Sequence, residues 1–494
     1  MTVTSLLFFL FAAVSAYLYH KLPARFRNAW LLLVSAAFIA SYSWQFVLVL
    51  ALFALVNYAI GLKMERVPAR MQAWSYAGLV FNLLFLFVLK YNNFYLPAFS
   101  KLLTQLGLLS AGETAAILVP IGLSFLTVQT ISYILDLRNK RLHAETDLIK
   151  FGVYIFFFPK LLSGPIERAR AFLPKLGKPL TVDTALLERS VALIVIGLFR
   201  KLAFADPLFH MIPADAFTSP LNYPGQNLVF WLLAYSFALY NDFAGYTSII
   251  RGVSLWFGIE LSSNFNLPYL SRNFTEFWSK WHISLSNWLR DYIFFPFSRA
   301  LAKKGQKFSR IFNLVLPPMV TMLVSGLWHG LAWNLLLWGG LHGVYQVIER
   351  LPSLWSKVTP LNERPKWRQH LGTGITFVFA SLAWVPFHTN LASTLQYWQG
   401  LFLWKMPDLK SLVLTVAGKD LFSSWSKFLL PSPLLIGVIL FAILFDWLQL
   451  RGKREEFILD WKRAALILFI VILLALCVLA GLSDQITPFV YQAF

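Results

Sequence analysis

Apolar runs of membrane-spanning length recur along the whole chain, and this feature restricts the possible fold more than any other. The hydrocarbon core of a bilayer is about 30 Å thick, so a helix needs about 20 apolar residues to cross it. Backbone groups inside the bilayer must bond to one another, which helices achieve within one segment. The runs lack the period-two alternation of strands. The sequence therefore predicts an all-α polytopic membrane protein with roughly 11 to 13 transmembrane or re-entrant helices.

The charge distribution agrees with this class of protein. Only 13% of the residues are charged, whereas soluble domains carry about 25%. The net charge of +20 comes from basic residues that cluster in alternate loops, for example at 138–141, 299–310 and 451–463. By the positive-inside rule these loops are cytoplasmic, which predicts both termini on the extracytoplasmic side. We expect the basic loops to face lipid headgroups, and since no soluble basic domain is visible, we expect no nucleic-acid partner.

The chain reads as one integral-membrane domain over residues 1–494, because it shows neither an internal repeat nor a linker long enough to divide it. Distinctive motifs concentrate in 120–345, with more peripheral spans in 1–112 and 370–494. The single cysteine, Cys477, excludes an intrachain disulfide and a CxxC metal site. Neither HExxH nor HxxxH spacing occurs, so the sequence predicts no metal.

One segment, residues 272–292, is too charged to cross a bilayer and too aromatic for a solvent loop. Asn273 with Glu276 three residues later is a helix-start signal, and Lys280 lies four residues after Glu276 in the favourable order. The pattern predicts one amphipathic helix at the membrane interface, with His282 at the edge of its apolar face. That face recurs at steps of three and four residues, at Phe274, Phe277, Trp278, Trp281, Leu285, Trp288, Leu289 and Tyr292.

Three other segments are placed from the sequence, and two of them depart from simple spans. Residues 151–162 are apolar but too short to cross, and they continue into the sequence SGPIERAR, which indicates a re-entrant or broken element. A fifth span is predicted from about residue 115 to 135. Residues 228–259 read as one or two spans, interrupted at the sequence YNDFAGY, residues 240–246.

His329 is the first candidate for chemistry. It lies between two apolar segments, 311–328 and 331–348, and is flanked by Gly326 and Gly330, which allow close approach of a backbone or a ligand. Burial lowers the pKa of an imidazole and keeps it neutral, which suits a general base acting on a hydroxyl. The alternative is a helix-packing histidine bonded to a backbone carbonyl.

The other polar candidates each have a structural alternative. His282 is either functional or an ordinary interfacial side chain. Asn241 and Asp242 place an amide and a carboxylate in an apolar context, where they either serve function or bond to a backbone group or an arginine. Ser124 and Gln129 either line a cavity or bond between helices, and His342 is interpreted as packing or as support for the site.

At this point the chain resembles the membrane-bound O-acyltransferase family. The likeness is greatest to the bacterial branch that includes the membrane proteins of alginate O-acetylation and of teichoic-acid D-alanylation. Five stretches carry the resemblance in family order: PIGLSFLTVQTISYILD at 120–136, FFPKLLSGPIERARAFLPKL at 157–176, YNDFAGYTSI at 240–249, NFNLPYLSRNFTEFWSKWHISLSNWLRDY at 264–292 and LVSGLWHG at 323–330. One departure is WVPFHTN at 384–390, where an arginine-containing segment is expected.

The resemblance implies that His329 matches the catalytic histidine of the family and His282 its second characteristic histidine. It implies a ring of tilted helices around a central pore in a bacterial cytoplasmic membrane. A cytoplasmic acyl thioester, with acetyl-CoA as the expected donor and no bound cofactor, would meet a polysaccharide hydroxyl or a periplasmic transfer partner. Trp278, Trp281 and Trp328 would then line the path and exclude water.

Two other functions fit the same sequence. One is D-alanyl transfer from a carrier-protein thioester to a cell-envelope polymer. The other is a transporter or flippase without acyl-transfer chemistry, since buried polar residues and broken helices fit that class as well.

Overall fold

The computed structural model describes residues 1–108, 110, 119–303, 309–357, 359–404, 433–483 and 489, and these form helices without any strand. The helices are α1 Leu6–Lys21, α2 Ala24–Ala40, α3 Trp44–Arg66, α4 Met71–Lys90, α5 Asn92–Gln105, α6 Leu123–Arg138, α7 Leu148–Phe156, α8 Phe158–Leu161, α9 Ala169–Gly177, α10 Thr184–Phe199, α11 Asp206–His210, α12 Gly225–Leu255, α13 Phe274–Lys280, α14 Ile283–Leu289, α15 Phe295–Ala302, α16 Ser309–His329, α17 Trp333–Arg350, α18 Lys366–His388, α19 Leu391–Gly400, α20 Pro433–Gly452 and α21 Arg463–Ser483.

The all-α class predicted from the sequence is confirmed. Among the described residues, five helices are long and apolar enough to span a membrane, within α3, α4, α16, α18 and α20, and two shorter apolar helices lie in α1 and α21. The helix α12 is 31 residues long but is not one of the five. It carries Gln226, Asn241, Asp242 and Arg251, which lower its hydropathy. The larger number of membrane elements stays a prediction.

Two segments differ from the prediction. The sequence YNDFAGY does not interrupt a span, because α12 runs through it as one helix. The fifth span was expected from residue 115, but residues 115–118 lie outside the described part, and α6 begins at Leu123 after Gly122. Gly122 has φ +70°, and a Cβ there would lie 2.1 Å from the carbonyl oxygen of Leu161, so this turn requires glycine.

The described residues group into two compact units. The first comprises residues 1–194 and 246–264, and the second comprises residues 195–245 and the described residues of 265–490. Both candidate histidines belong to the second unit.

In the first unit, the short apolar segment is a broken element, as its length predicted. Here α7 and α8 meet at Phe157, and the chain then continues without helix through residues 163–168. Lys160 is fully buried and donates 2.7 Å hydrogen bonds to the side chain of Gln129 and to the carbonyl of Tyr154. Glu167 accepts a 2.6 Å hydrogen bond from the amide of Ser262. The polar groups of this broken element are therefore bonded inside the protein.

In the second unit, a buried cation holds three helical elements together. Arg200 lies where α10 continues as a π-helical turn, Arg200–Ala205. Its guanidinium bonds the side chains of Asn241 on α12 at 2.6 Å and of Asp446 and Gln449 on α20 at 2.8 and 2.7 Å. Since removal of one partner leaves a buried charge uncompensated, this cluster is a strong constraint on the position of α20.

We predict that Asp446→Ala destabilises the protein by about 3 kcal/mol, because the buried Arg200 then loses its neutralising carboxylate. Thermal unfolding of the purified protein in detergent should show a clearly lower midpoint. Asp460→Ala is the control, since Asp460 pairs with Arg454 at an exposed position and exposed pairs contribute little. Equal midpoints for the two variants would contradict the prediction.

Candidate active site

The aromatic segment is not the single interfacial helix that its periodicity predicted. It forms two short helices, α13 and α14, followed by a π-helical turn, Arg290–Phe294. The break falls at Trp281 and His282, and His282 adopts a left-handed conformation with φ +40°. The periodicity of the sequence did not predict this break, because the apolar positions keep the same spacing on both sides of it. Tertiary packing determines the backbone conformation at Trp281 and His282.

The predicted start of this segment is confirmed. The side chain of Asn273 accepts a 2.7 Å hydrogen bond from the amide of Glu276. Glu276 also pairs with Arg272 and with Lys280, both at 3.0 Å. Burial alone would raise the pKa of the Glu276 carboxyl, but the hydrogen bonds from Arg272 and Lys280 lower this pKa to about 2. The carboxylate therefore anchors the first turn of α13 in its ionised form.

The break directs two large rings into the protein interior. Trp281 and His282 are each 1% exposed. The amide of Trp281 closes α13 on the carbonyl of Phe277, and the hydroxyl of Ser286 donates to the carbonyl of Trp281 at 3.0 Å. Burial lowers the pKa of His282 to about 3, so its imidazole is neutral near pH 7.

His329 is the last residue of α16, at the turn that leads into α17. These two helices pack closely because glycines of each helix face the backbone of the other. A Cβ atom on Gly326 would lie 2.3 Å from the carbonyl oxygen of Leu335. A Cβ atom on Gly339 would lie 2.3 Å from the carbonyl oxygen of Met322. His329 is 5% exposed. The helix hairpin therefore buries the imidazole at its tip.

One tryptophan connects the two histidines. The ring centroid of Trp328 lies 4.7 Å from that of His329 and 6.2 Å from that of His282. Phe243 packs edge-on against the other side of His282 at 4.9 Å. The structure thus places both histidines that the sequence singled out in contact with the same indole ring.

An aromatic wall surrounds the His329 ring. Trp338 and Phe387 pack edge-on against it, with centroid distances of 5.2 and 5.0 Å. Trp384 stacks on Trp338 at 6.2 Å and contacts Trp281 at 4.7 Å. The predicted wall residues Trp281 and Trp328, together with Trp278, therefore belong to one aromatic cluster, and Trp338, Trp384 and Phe387 are members that the sequence did not reveal.

The other predicted site residues lie elsewhere. Asp242 pairs with the buried ammonium of Lys201 at 2.7 Å, and Asn241 bonds Arg200, so both serve as partners of buried cations. Ser124 and Gln129 belong to the first unit, where they accept hydrogen bonds from Lys90 and from Lys160 at 2.9 and 2.7 Å. The contacts named here for these four residues are bonds between protein groups, as the structural alternatives predicted.

His342 was interpreted as packing or support, and it joins the cluster. Its ring lies 5.1 Å from those of both Trp278 and Trp338, and it is fully buried. The spacing of four residues from Trp338 was the available signal, since it places both side chains on one face of α17. Within the described residues, no group of acidic, histidine or cysteine side chains could hold a metal ion.

A cavity of about 300 Å³ lies beside this cluster in the second unit. Its lining includes one tryptophan of the cluster, polar side chains and two arginines. The lining residues are Thr275, Trp278, Ser279, Ser286, Asn287, Leu289, Arg290, Phe294, Phe295, Thr321, Met322, Gln346 and Arg350.

These features define a helical membrane protein with two buried histidines that both contact Trp328, and with a cavity whose lining includes two arginines. The family model described as MBOAT, membrane-bound O-acyltransferase family, matches residues 26–387. The chain is 34% identical to the probable alginate O-acetylase of Azotobacter vinelandii over 420 residues, 82% of this chain and 79% of the relative. It is 31% identical to the peptidoglycan O-acetyltransferase of Helicobacter pylori, covering 78% and 75%. It is 32% identical to the teichoic acid D-alanyltransferase of Bacillus subtilis, covering 54% and 69%.

The chain therefore belongs to the membrane-bound O-acyltransferase family. It is a membrane-embedded O-acyltransferase, which requires an acyl donor, and the transporter alternative is set aside. The resemblance recognised from five sequence stretches is confirmed.

The left-handed backbone conformation at His282 can be tested by substitution, because glycine adopts it more easily than other residues do. We predict that His282→Gly and His282→Ala both lose the imidazole, but that the glycine variant is more stable by about 1 kcal/mol, because alanine resists φ +40°. Thermal unfolding of the two purified variants measures this difference. An alanine variant as stable as the glycine variant would contradict the break.

Proposed function

We propose that this protein moves an acetyl group from a cytoplasmic thioester to hydroxyls of an extracytoplasmic polysaccharide, with His329 as the general base. The observation that carries the proposal is the burial of His329 in an aromatic enclosure next to Trp328 and His282. The names of the Azotobacter and Helicobacter relatives supply the acetyl group and the polymer acceptor.

The chemistry needs one neutral base. A hydroxyl of the acceptor gives its proton to the neutral imidazole of His329 while its oxygen attacks the thioester carbonyl. The tetrahedral intermediate then collapses to the ester and a thiolate, and the imidazolium returns the proton to the leaving sulfur. Because the aromatic wall keeps bulk water away, hydrolysis of the thioester is suppressed.

His282 is assigned a supporting role. It is neutral and buried, and its ring contacts that of Trp328, which also contacts His329. In this position it orients or polarises a reacting group, or contacts the donor. No covalent acyl intermediate is needed for the direct transfer described above.

Acetyl-CoA is the proposed donor. Its phosphates would meet Arg290 and Arg350 on the cavity wall, since guanidinium groups bind phosphate well. Arg350 also packs on the ring of Phe294 at 5.0 Å, which orients its guanidinium. Arg290 is partly neutralised by Asp291 at 2.9 Å, so Arg350 is expected to contribute more.

The proposed setting is the cytoplasmic membrane of a bacterium, with both termini extracytoplasmic. A polysaccharide, or a periplasmic protein that completes the transfer, would then supply the hydroxyl. D-alanyl transfer is the second candidate, favoured by the match to the Bacillus subtilis enzyme. That match covers 54% of the chain, whereas the acetylase match covers 82%, so acetyl transfer is preferred.

We predict that His329→Ala lowers acyl transfer by about 10²- to 10⁴-fold, the usual contribution of a positioned base, without lowering the amount of protein in the membrane. Transfer of radiolabelled acetyl to polymer by membranes from matched strains measures the loss. His370→Ala is a suitable control, because His370 lies near the start of α18 and outside the aromatic cluster. Undiminished transfer by a folded His329→Ala protein would reject the assignment.

The host polysaccharide tests the acyl group and the acceptor. Ester-bound acetyl, measured by NMR, should disappear in a deletion strain and stay absent when the deletion is complemented with His329→Ala. Polymer yield should remain normal in both strains. If acetylation is unchanged and ester-bound D-alanine is lost instead, D-alanyl transfer replaces acetyl transfer as the function.

A further inference from the structure

An exposed histidine, His388, follows directly on the aromatic cluster. It lies in the sequence WVPFHTN, the segment in which the chain departs from the pattern that the resemblance predicts. Its neighbour Phe387 is 4% exposed and packs edge-on against the ring of His329 at 5.0 Å, whereas the side chain of His388 is exposed. These two consecutive residues therefore connect the buried histidine with the surface of the protein.

Aromatic rings from other elements hold the imidazole of His388 in place. Its centroid lies 4.6 Å from that of Phe217 and 4.7 Å from that of Tyr235 on α12, and both of these side chains are buried. Phe217 in turn stacks on Tyr397 of α19 at 4.8 Å. Because the buried rings are fixed by their own packing, the orientation of the exposed imidazole is restricted before any ligand binds.

Hydrogen bonds fix the end of α18 relative to the hairpin that carries His329. The side chain of Asn334, in the first turn of α17, donates a 2.9 Å hydrogen bond to the carbonyl of Pro386. Directly after His388, the side chain of Asn390 starts α19 by accepting a 2.9 Å hydrogen bond from an amide of its first turn. The exposed imidazole is therefore held at a defined position near the proposed base.

His388 lies at the end of α17 and α18 that is remote from the cavity. The bond between Asn334 and Pro386 joins the start of α17 to the end of α18, and the other end of α17 carries Arg350 on the cavity wall. The 18 residues of α17 correspond to about 27 Å of helix. A donor bound in the cavity and a molecule bound at His388 would therefore approach His329 from different ends.

The described segments that pack around the end of α18 contain no lysine or arginine. They are residues 211–228, 330–334 and 386–404, and their one acidic side chain is Asp215, which is exposed and accepts a hydrogen bond from Tyr223. Few cations are expected on the outer side of a membrane, yet their scarcity still decides which ligands fit. An anionic sugar would meet a carboxylate there without a cation from these segments to offset it.

We propose that His388 positions the acceptor, and that the acceptor is an uncharged sugar whose hydroxyl reaches His329 past Phe387. A neutral imidazole presents one donor and one acceptor, and a hydroxyl can bond to either. A side chain that is already held in one orientation loses little freedom when it binds. This inference rests on the proposed function, since it requires transfer to a hydroxyl, and it adds the chemical class of the acceptor.

The test uses two acceptors, a glucose oligomer and the same oligomer oxidised at C6, which carries a carboxylate on each sugar. Purified protein transfers radiolabelled acetyl from acetyl-CoA to each oligomer. We expect the wild type to prefer the uncharged oligomer by about tenfold in kcat/KM. We expect His388→Ala to raise KM for the uncharged oligomer about fivefold, the usual effect of one lost hydrogen bond, and to change KM for acetyl-CoA by less than about twofold.

Three further variants separate binding from packing. His388→Gln keeps a donor and an acceptor and should restore most of the lost affinity for the uncharged oligomer. His388→Arg adds a permanent cation and should shift the preference about tenfold towards the oxidised oligomer. The missing C6 hydroxyl alone would not respond to this change of charge. His370→Ala is the matched control, an exposed histidine near the other end of the same helix, and should leave both KM values unchanged.

Three results would overturn the proposal: an unchanged KM for the uncharged oligomer in His388→Ala, a wild-type preference for the oxidised oligomer, or transfer to neither oligomer. An equal rise in KM for acceptor and donor would also overturn it, because that result indicates a packing role. Failure of the proposed function gives a different result, namely full transfer by His329→Ala.

Discussion

The structure depends on one constraint: polar groups buried in an apolar interior have no water to bond and must find partners within the protein. The buried guanidinium of Arg200 finds hydrogen-bond partners on two helices, namely Asn241 on α12 and both Asp446 and Gln449 on α20. Lys160 satisfies it with a side chain and a backbone carbonyl of the same unit. These bonds join elements that are distant in sequence, so they determine which helices pack together and hold irregular backbone in place.

Some buried polar groups are exceptions to this constraint. Ser325, His342, Trp278 and Trp338 are buried, yet several of their polar atoms have no partner in the described structure. Other buried atoms without a hydrogen-bond partner occur elsewhere in the described structure, for example on Ser271, Asn313 and Ser381. A protein interior keeps such groups at a cost in stability.

The break in the aromatic segment shows how local strain serves this arrangement. A continuous helix over residues 272–292 would carry Trp281 and His282 along one regular surface. The left-handed backbone at His282 instead ends α13 and restarts the chain as α14, so both rings are buried. Tight packing around Trp281, by Tyr240, Phe265 and Trp384, holds this conformation.

The sequence by itself determined the class of the protein. Apolar runs of this length require membrane helices, whatever their arrangement. The resemblance of five stretches identified the family and pointed to the two histidines. The start of the aromatic segment at Asn273 was also predictable, since capping is local. Tertiary structure alone decided that α12 is uninterrupted, that Asn241 and Asp242 are partners of cations, and that α13 ends at Lys280. In each case the outcome depends on side chains from distant segments, such as Arg200 for Asn241 and Phe243 for His282, whose proximity periodicity does not encode.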